Sequence, residues 1–318
     1  MAAQADILTV TLNPAVDMAT HVAKVVAGPK LRCAAPRFDP GGGGVNVARA
    51  VRKLGGSARA LVAVGGPMGD RLLKLLAAEA VPSLPVPVSG ETRQSFAVTD
   101  DSTGGQFRFS VPGQPLTATD ADRLLAGVAE QATEGGFVVI SGSFAPGLPV
   151  DFPSQIIAAV ALKKARVVID TSSHALDWLI AHPTTPVDVL RIDQTEAAEA
   201  ASHPMTTVAD SVNFAQGLIK RGVANTVVTG RGGEGSVLVS QDQRFFCHAP
   251  DAPVRSKIGA GDAFVGALTL ALALGAAPDQ VLQWGVAAAS ATVSTEGTTL
   301  CELANAAGRF DQCRVEVL

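Results

Sequence analysis

The stretch Lys257-Ile258-Gly259-Ala260-Gly261-Asp262-Ala263-Phe264 runs straight into an apolar pattern in which Phe264, Val265, Leu268, Leu272 and Leu274 recur at helical spacing. Three residues without bulk, Gly259, Ala260 and Gly261, therefore stand at a helix start. Glycine lets the backbone bend so that N–H groups converge. The first turn of a helix has unpaired donors and a partial positive charge. Together these predict an anion cradle. Asp262 beside it has two readings. Aspartate is favoured at helix starts for capping. A carboxylate there can also act as a general base, taking a proton from a hydroxyl while the three amides hold developing phosphoryl charge.

Upstream, apolar β-rich runs alternate with helical patterns. Strands are expected at 7–12, 60–64, 137–141, 166–170, 188–192, 225–229 and 235–239. Helices are expected at 45–54, 70–80, 118–133, 151–164, 194–201 and 208–221. This alternation predicts an α/β chain, 1–318, with a mostly parallel sheet covered on both faces. Ligands in such sheets bind at the carboxyl ends of strands. Asn13, Asp17, Ser141, Ser143, Asp170, Asp193 and Thr229 fall at or just past such ends. Gly41 to Gly44 precede the helix at 45–54, and a ligand lying on bare backbone would explain them. Residues 92–112 carry a hairpin signal around Asp101-Ser102-Thr103-Gly104-Gly105. With 16–40 they form a small β appendage.

The chain has 318 residues, 47% hydrophobic and 17% charged, enough for a large core. A formal net charge of -4 without a basic run argues against a nucleic-acid partner, and the absence of Tyr argues against a base-stacking platform. Cys33, Cys247, Cys301 and Cys313 lie far apart, with neither metal-ligand spacing nor a disulfide framework, so reduced thiols in the cytoplasm are expected. Met1 to Asp6 lack the charges and apolar core of a secretory leader. The apolar stretches near 263–277 and 281–293 are interrupted and read as buried helices, so no membrane partner is expected.

Asn13-Pro14-Ala15-Val16-Asp17, Gly41 to Gly44 with Asn46, Asp193-Gln194-Thr195-Glu196 and Gly259-Ala260-Gly261-Asp262 occur in this order. This set resembles the ribokinase-like (PfkB) sugar kinases over nearly the whole chain. The run from Gly28 to Gly41, with Lys30, is most similar to their phosphofructokinase branch. The resemblance implies a three-layer core, a β-sheet lid at 16–40 and 92–112 that often clasps a homodimer, and transfer of the ATP γ-phosphoryl group to a sugar hydroxyl. By that resemblance Asp262 is the base, with Gly259, Ala260 and Gly261 as the anion hole. Asp17, Gly42, Gly43, Asn46 and Ser143 hold the sugar, and Lys30 and Arg93 meet its phosphate. Arg191, Asp193, Thr229, Gly230, Gly232 and Gly235 line the ATP site, and Glu196 with Asp193 organises Mg²⁺ through water. The implied acceptor is a phosphorylated ketose, fructose 6-phosphate first. Fructose 1-phosphate, tagatose 6-phosphate and a weakly catalytic binding regulator stand as alternatives. A nicotinamide oxidoreductase ranks far below, for want of a Gly-x-Gly-x-x-Gly turn after the first strand. Two departures stand out. The metal motif usually reads Asn-x-x-Glu after Lys-Pro, whereas here it is Arg191-Ile192-Asp193-Gln194-Thr195-Glu196. The segment Ser294 to Thr299 carries an extra residue where many relatives bind a monovalent cation.

Overall fold

The computed structural model describes residues 3–318, so Met1 and Ala2 of the stretch read as lacking a leader lie outside the described residues. The chain opens with β1 (Ile7–Thr11), β2 (Ala15–Val22), β3 (Arg37–Gly41), α1 (Gly43–Lys53), β4 (Arg59–Val64) and α2 (Gly66–Ala78). Then come β5 (Ser83–Pro87), β6 (Arg93–Asp100), β7 (Gln106–Ser110), α3 (Ala118–Gln131), β8 (Phe137–Ser141) and α4 (Phe152–Ala161). They are followed by β9 (Arg166–Asp170), α5 (Ser173–Ala181), β10 (Val187–Ile192), α6 (Gln194–Ala201), α7 (Val208–Lys220) and β11 (Ala224–Gly230). The chain closes with β12 (Gly235–Ser240), β13 (Arg244–His248), α8 (Ala260–Ala273), α9 (Pro278–Thr292), α10 (Leu303–Phe310) and β14 (Arg314–Val317).

Every residue of β1 and of β8 is buried, as expected of central strands covered on both faces. The main sheet has the order β14-β13-β12-β11-β10-β9-β8-β1-β4-β5. From β5 to β11 all pairs are parallel, and from β11 to β14 all are antiparallel. One face packs on a cluster built from α1, α2, α8, α9 and α10, with Val47, Leu72, Phe264, Leu282 and Ala306 among its members. The other packs on α3 to α7, through residues such as Leu124, Ile156, Leu176, Ala197 and Leu218. This is the mostly parallel sheet covered on both faces that the alternation predicts, and the three-layer core that the resemblance implies.

A second sheet, β3-β2-β6-β7, stands apart from the first. It is built from the two segments set aside as an appendage, with β2 and β6 parallel and the outer pairs antiparallel. Arg37 on β3 ties it to the core, donating to the Thr298 and Thr299 hydroxyls at 3.0 and 3.2 Å.

Three features differ from the sequence expectations. α2 starts at Gly66 rather than near 70, because Pro67 occupies its first turn, where a missing N–H costs nothing. β5, β13 and β14 extend the sheet beyond the expected strands. β5 holds Pro85 and Pro87, which mask a strand signal but are tolerated at an edge. The four glycines are bare because protein, not only a ligand, lies against them. A Cβ on Gly43 would sit 2.4 Å from the Gly142 nitrogen, and one on Gly44 2.5 Å from the Val10 carbonyl oxygen. α1 is thus wedged end-on against the carboxyl ends of β1 and β8.

A similar close approach joins α1 to α8, where a Cβ on Gly266 would lie 2.7 Å from the Ala50 Cβ. That packing brings the first turns of both helices to one place. Among the described residues no helix is long and apolar enough to cross a membrane.

Candidate active site

Gly259 caps α8 in the left-handed conformation, φ 76°, which favours glycine. No side chain caps this end, and the first helical bond to Gly259 comes from the Ala263 N–H at 2.8 Å. The first-turn amides of Ala260, Gly261 and Asp262 therefore face outward as donors. Asp262 does not use its carboxyl as a cap. Its Oδ2 accepts instead from the Asn46 Nδ2 of α1 at 2.9 Å. It is partly open to a cavity yet ringed by protein. Burial, then the Asp170 carboxylate and more weakly that of Asp17, push its pKa up to about 7, against the Asn46 amide and the Arg191 guanidinium.

The cavity, of about 240 Å³, lies between the core and the small sheet. Its floor is Gly42, Gly43, Asn46, Gly259 and Asp262. Its roof is made by β6 and β7, with Arg93, Ser95 and Ala97 on one and Gln106, Arg108 and Ser110 on the other sharing a face, and Phe96 and Phe109 also lining it. Asp17 of β2 stands at the junction. Burial, opposed by Arg93 and aided by Asp39, raises its carboxyl to about 6. Gly41 must be bare here, since a Cβ would fall 2.3 Å from the Asp17 Oδ2. Arg93 is held by the Asn13 carbonyl, the Ser95 and Ser110 hydroxyls and the Val111 carbonyl, at 3.0–3.3 Å. Carboxyl groups below and two guanidiniums above suit a small polyol carrying an anionic group.

Behind the cradle lies a second set. Arg191, at the end of β10, donates to Asp170 Oδ1 at 3.0 Å. A Cβ on Gly261 would lie 3.5 Å from its guanidinium nitrogens, and one on Gly230 3.4 Å from its Nη2. The guanidinium thus lies between the cradle and the end of β11. Burial works against its charge, but Asp170, Glu196 and Asp193 outweigh it and hold Arg191 protonated. Asp193 caps α6, its Oδ1 accepting from the Thr195 and Glu196 amides at 2.8 and 2.9 Å, while Glu196 Oε2 accepts from the Asp193 amide at 2.9 Å. Burial, with the Asp193 and Asp170 charges, raises Glu196 to about 7 against the Asp193 amide and Arg191. Within the described residues Thr229 Oγ1 is buried without a partner, an acceptor or donor waiting for one.

These features fit a nucleotide polyphosphate: an open amide cradle, a guanidinium against it, and an unpaired hydroxyl. Among the described residues no group of three or more His, Cys, Asp or Glu side chains is placed to hold a metal ion. Mg²⁺ arriving with a nucleotide does not need one, since it keeps waters and phosphate oxygens and takes one or two carboxylates.

Residues 10–305 match the profile of the pfkB family carbohydrate kinases. The chain belongs to the pfkB family. Within it, the chain is 37% identical over 295 residues to the ATP-dependent 6-phosphofructokinase isozyme 2 of Escherichia coli, covering 93% of this chain and 94% of that one. It is 30% identical to the 1-phosphofructokinase of Bacillus subtilis, covering 91% and 93%. The crystal structure of phosphofructokinase-2 from E. coli with substrates and products superposes with a TM-score of 0.91, at 36% identity, covering 96% and 99% of the chains. Structures of that enzyme also exist in complex with potassium and as a tetrameric inhibited form.

Of the residues expected at a pfkB sugar site, Asp17, Gly42, Gly43, Asn46, Arg93 and Asp262 line one cavity. Lys30 does not; it is exposed in the irregular segment between β2 and β3. Ser143 is exposed outside the cavity, its hydroxyl accepting from the Asn13 amide at 3.1 Å. Of the residues expected to line an ATP site, Arg191, Asp193, Glu196, Thr229 and Gly230 gather behind the cradle. Gly232 has φ 59° with open space around it, whereas Gly235 is bare because a Cβ would lie 1.9 Å from the Cys247 carbonyl oxygen. Two residues were missed. Arg108 shares a face with Gln106 and Ser110, so the alternation of β7 could have revealed it. Asp170 was placed at a strand end but given no role; its pairing with Arg191 has no local sequence signal, because the two lie on adjacent strands.

Proposed function

We propose that this chain is an ATP-dependent 6-phosphofructokinase, transferring the γ-phosphoryl group to a hydroxyl of fructose 6-phosphate. The observation that carries the reading is Asp262, a carboxyl group beside an uncapped helix start, on the floor of a cavity roofed by Arg93 and Arg108. Asp262 takes the proton of the acceptor hydroxyl, whose oxygen then bonds to the γ-phosphorus as the bond to ADP breaks. The amides at 260–262 stabilise the charge on the equatorial oxygens in flight. Arg191 offsets charge on the departing side. Asp17, with Gly42, Gly43 and Asn46, orients the sugar, and Arg93 and Arg108 take its phosphate. Glu196 and Asp193 would hold Mg²⁺ through water, and bound Mg²⁺ neutralises phosphate charge. The geometry supports Arg108 over Lys30 as a phosphate ligand. Greater identity to 6- than to 1-phosphofructokinases supports the acceptor.

Three finer points belong to the same reading. The lid presents Val26, Phe107 and Val111 to solvent, which supports self-association of two chains through it. The loop at 294–299, with the Gly297 carbonyl accepting from Ser256 Oγ at 2.8 Å, is the place for a monovalent cation. Four free cysteines suit a reducing cytoplasm.

ADP release over fructose 6-phosphate, fructose 1-phosphate and tagatose 6-phosphate tests the acceptor, with the highest kcat/KM expected for the first. A higher value for either other sugar reassigns the substrate. Asp262→Asn tests the chemistry: kcat should fall by roughly 10²–10⁴ with ATP affinity little changed. Parallel loss of both would remove the base assignment.

A further inference from the structure

Arg49 on α1 is 3% exposed and does not line the cavity, yet each of its three nitrogens donates to a partner. Its Nε and Nη2 donate to the two Glu79 oxygens at 2.7 Å each, a forked pair with the residue that ends α2. Its Nη1 donates to the Pro40 carbonyl at 3.1 Å and to the Asn46 Oδ1 at 2.9 Å. Arginine has no acceptor. The atom of Asn46 that meets Arg49 must therefore be its oxygen, and the atom left for Asp262 must be its nitrogen. A chain of fixed polarity runs from Glu79 through Arg49 and Asn46 to Asp262.

We propose that the buried Arg49–Glu79 pair is a positioning device for the catalytic base: it locks the Asn46 amide so that Asp262 always receives a donor. The inference rests on the reading of Asp262 as base. Without the lock the Asn46 amide is free to turn and set its oxygen against the carboxylate. That would rotate Asp262 away from the acceptor hydroxyl and favour its protonated form. The charged groups acting on Asp262 are Asp170 on β9, Arg191 on β10 and Asp17 on β2, and none of them substitutes for an amide donor at its Oδ2.

The test uses Arg49→Met, the double variant Arg49→Met with Glu79→Leu, and Arg49→Lys. The double variant replaces the ion pair with apolar groups, an exchange that commonly leaves folding intact. Thermal midpoints, kcat, both KM values and the pH profile of kcat/KM are measured beside Asp262→Asn. The single Arg49→Met variant and the double variant should each lose roughly tenfold to a hundredfold in kcat with KM for ATP within about twofold. Their acid limb should move to higher pH by roughly half to one unit, because a lost donor raises a carboxyl pKa. Arg49→Lys, which keeps a donor but not the fork, should recover part of the rate. A folded double variant with unchanged kcat and limb overturns the positioning role while leaving the base intact. Near-normal turnover in Asp262→Asn overturns the base reading itself.

Discussion

Gly43 and Gly261 both stand at the start of a helix, but for different reasons. Gly43 is bare because Gly142 and Ser141 are in the way, with backbone atoms 2.4 and 2.5 Å from where a Cβ would be. Neither neighbour can yield easily, since Ser141 ends the buried strand β8 and Gly142 begins the turn after it. Gly261 has ordinary room: its Cβ would touch only the Arg191 guanidinium, at 3.5 Å. Alanine there also gains helix propensity, worth roughly 0.5–1 kcal/mol. Gly43→Ala should therefore destabilise by about 3 kcal/mol, read from urea unfolding. Gly261→Ala should fold with an equal or higher thermal midpoint and still lose turnover, because the methyl group narrows the amide cradle. A Gly261→Ala enzyme with normal kcat would mean that the transferred group does not pass there.

At the scale of elements, α6 explains the departure from the family's Asn-x-x-Glu. Asp193 is the cap of that helix, and both of its accepted bonds go to one oxygen. Asparagine offers the same oxygen, so Asp193→Asn should leave stability within about 0.5 kcal/mol, whereas Asp193→Ala should cost about 1 kcal/mol. Equal losses in chemical unfolding would show that charge, not capping geometry, holds the helix start. The parallel strands were legible because burial on both faces writes itself as unbroken Val, Ile and Leu. The two motif glycines of α8 were legible because a helix start without bulk is unusual. β13 and β14 were not, since outer antiparallel strands need only half-buried patterns and are short. Arg49 and Glu79 were illegible for a different reason. Thirty positions separate them, and only the fold, which brings the end of α2 to Arg49 and packs α1 on α8, joins this pair to Asn46 and Asp262. The small sheet is intermediate. Its hairpin announced itself by turn chemistry, but the parallel pairing of β2 with β6 joins segments far apart in the chain.

Across the whole molecule, the site imposes a pH dependence on folding. Burial holds Asp17 at about 6 and Asp262 at about 7, both above the ordinary aspartate value of 3.8. Between about pH 4 and 7 the folded chain thus keeps protons that the unfolded chain has released. Stability rises with pH where the unfolded state binds more protons, so here it must fall as pH rises. Below about pH 4 the sign reverses. Asp120, held to about 2 by hydrogen bonds from Ser89 and Thr117 in spite of burial, then loses its stabilising charge on protonation. The optimum should lie near pH 4, where the two trends meet, below the range where Asp262 is ionised and able to act as a base. The ligand-free thermal midpoint should be higher at pH 5.5 than at pH 7.5. Asp17→Asn with Asp262→Asn should flatten that slope in part. Glu196 and Asp188, also raised by burial, retain the remainder. A midpoint that climbs steadily from pH 5.5 to 7.5 would mean that these carboxyls are solvated in the folded chain. The desolvated floor that the proposed base requires would then not exist. A falling midpoint with rising turnover over the same interval is the behaviour of a site whose reactive group is charged at the expense of the fold around it.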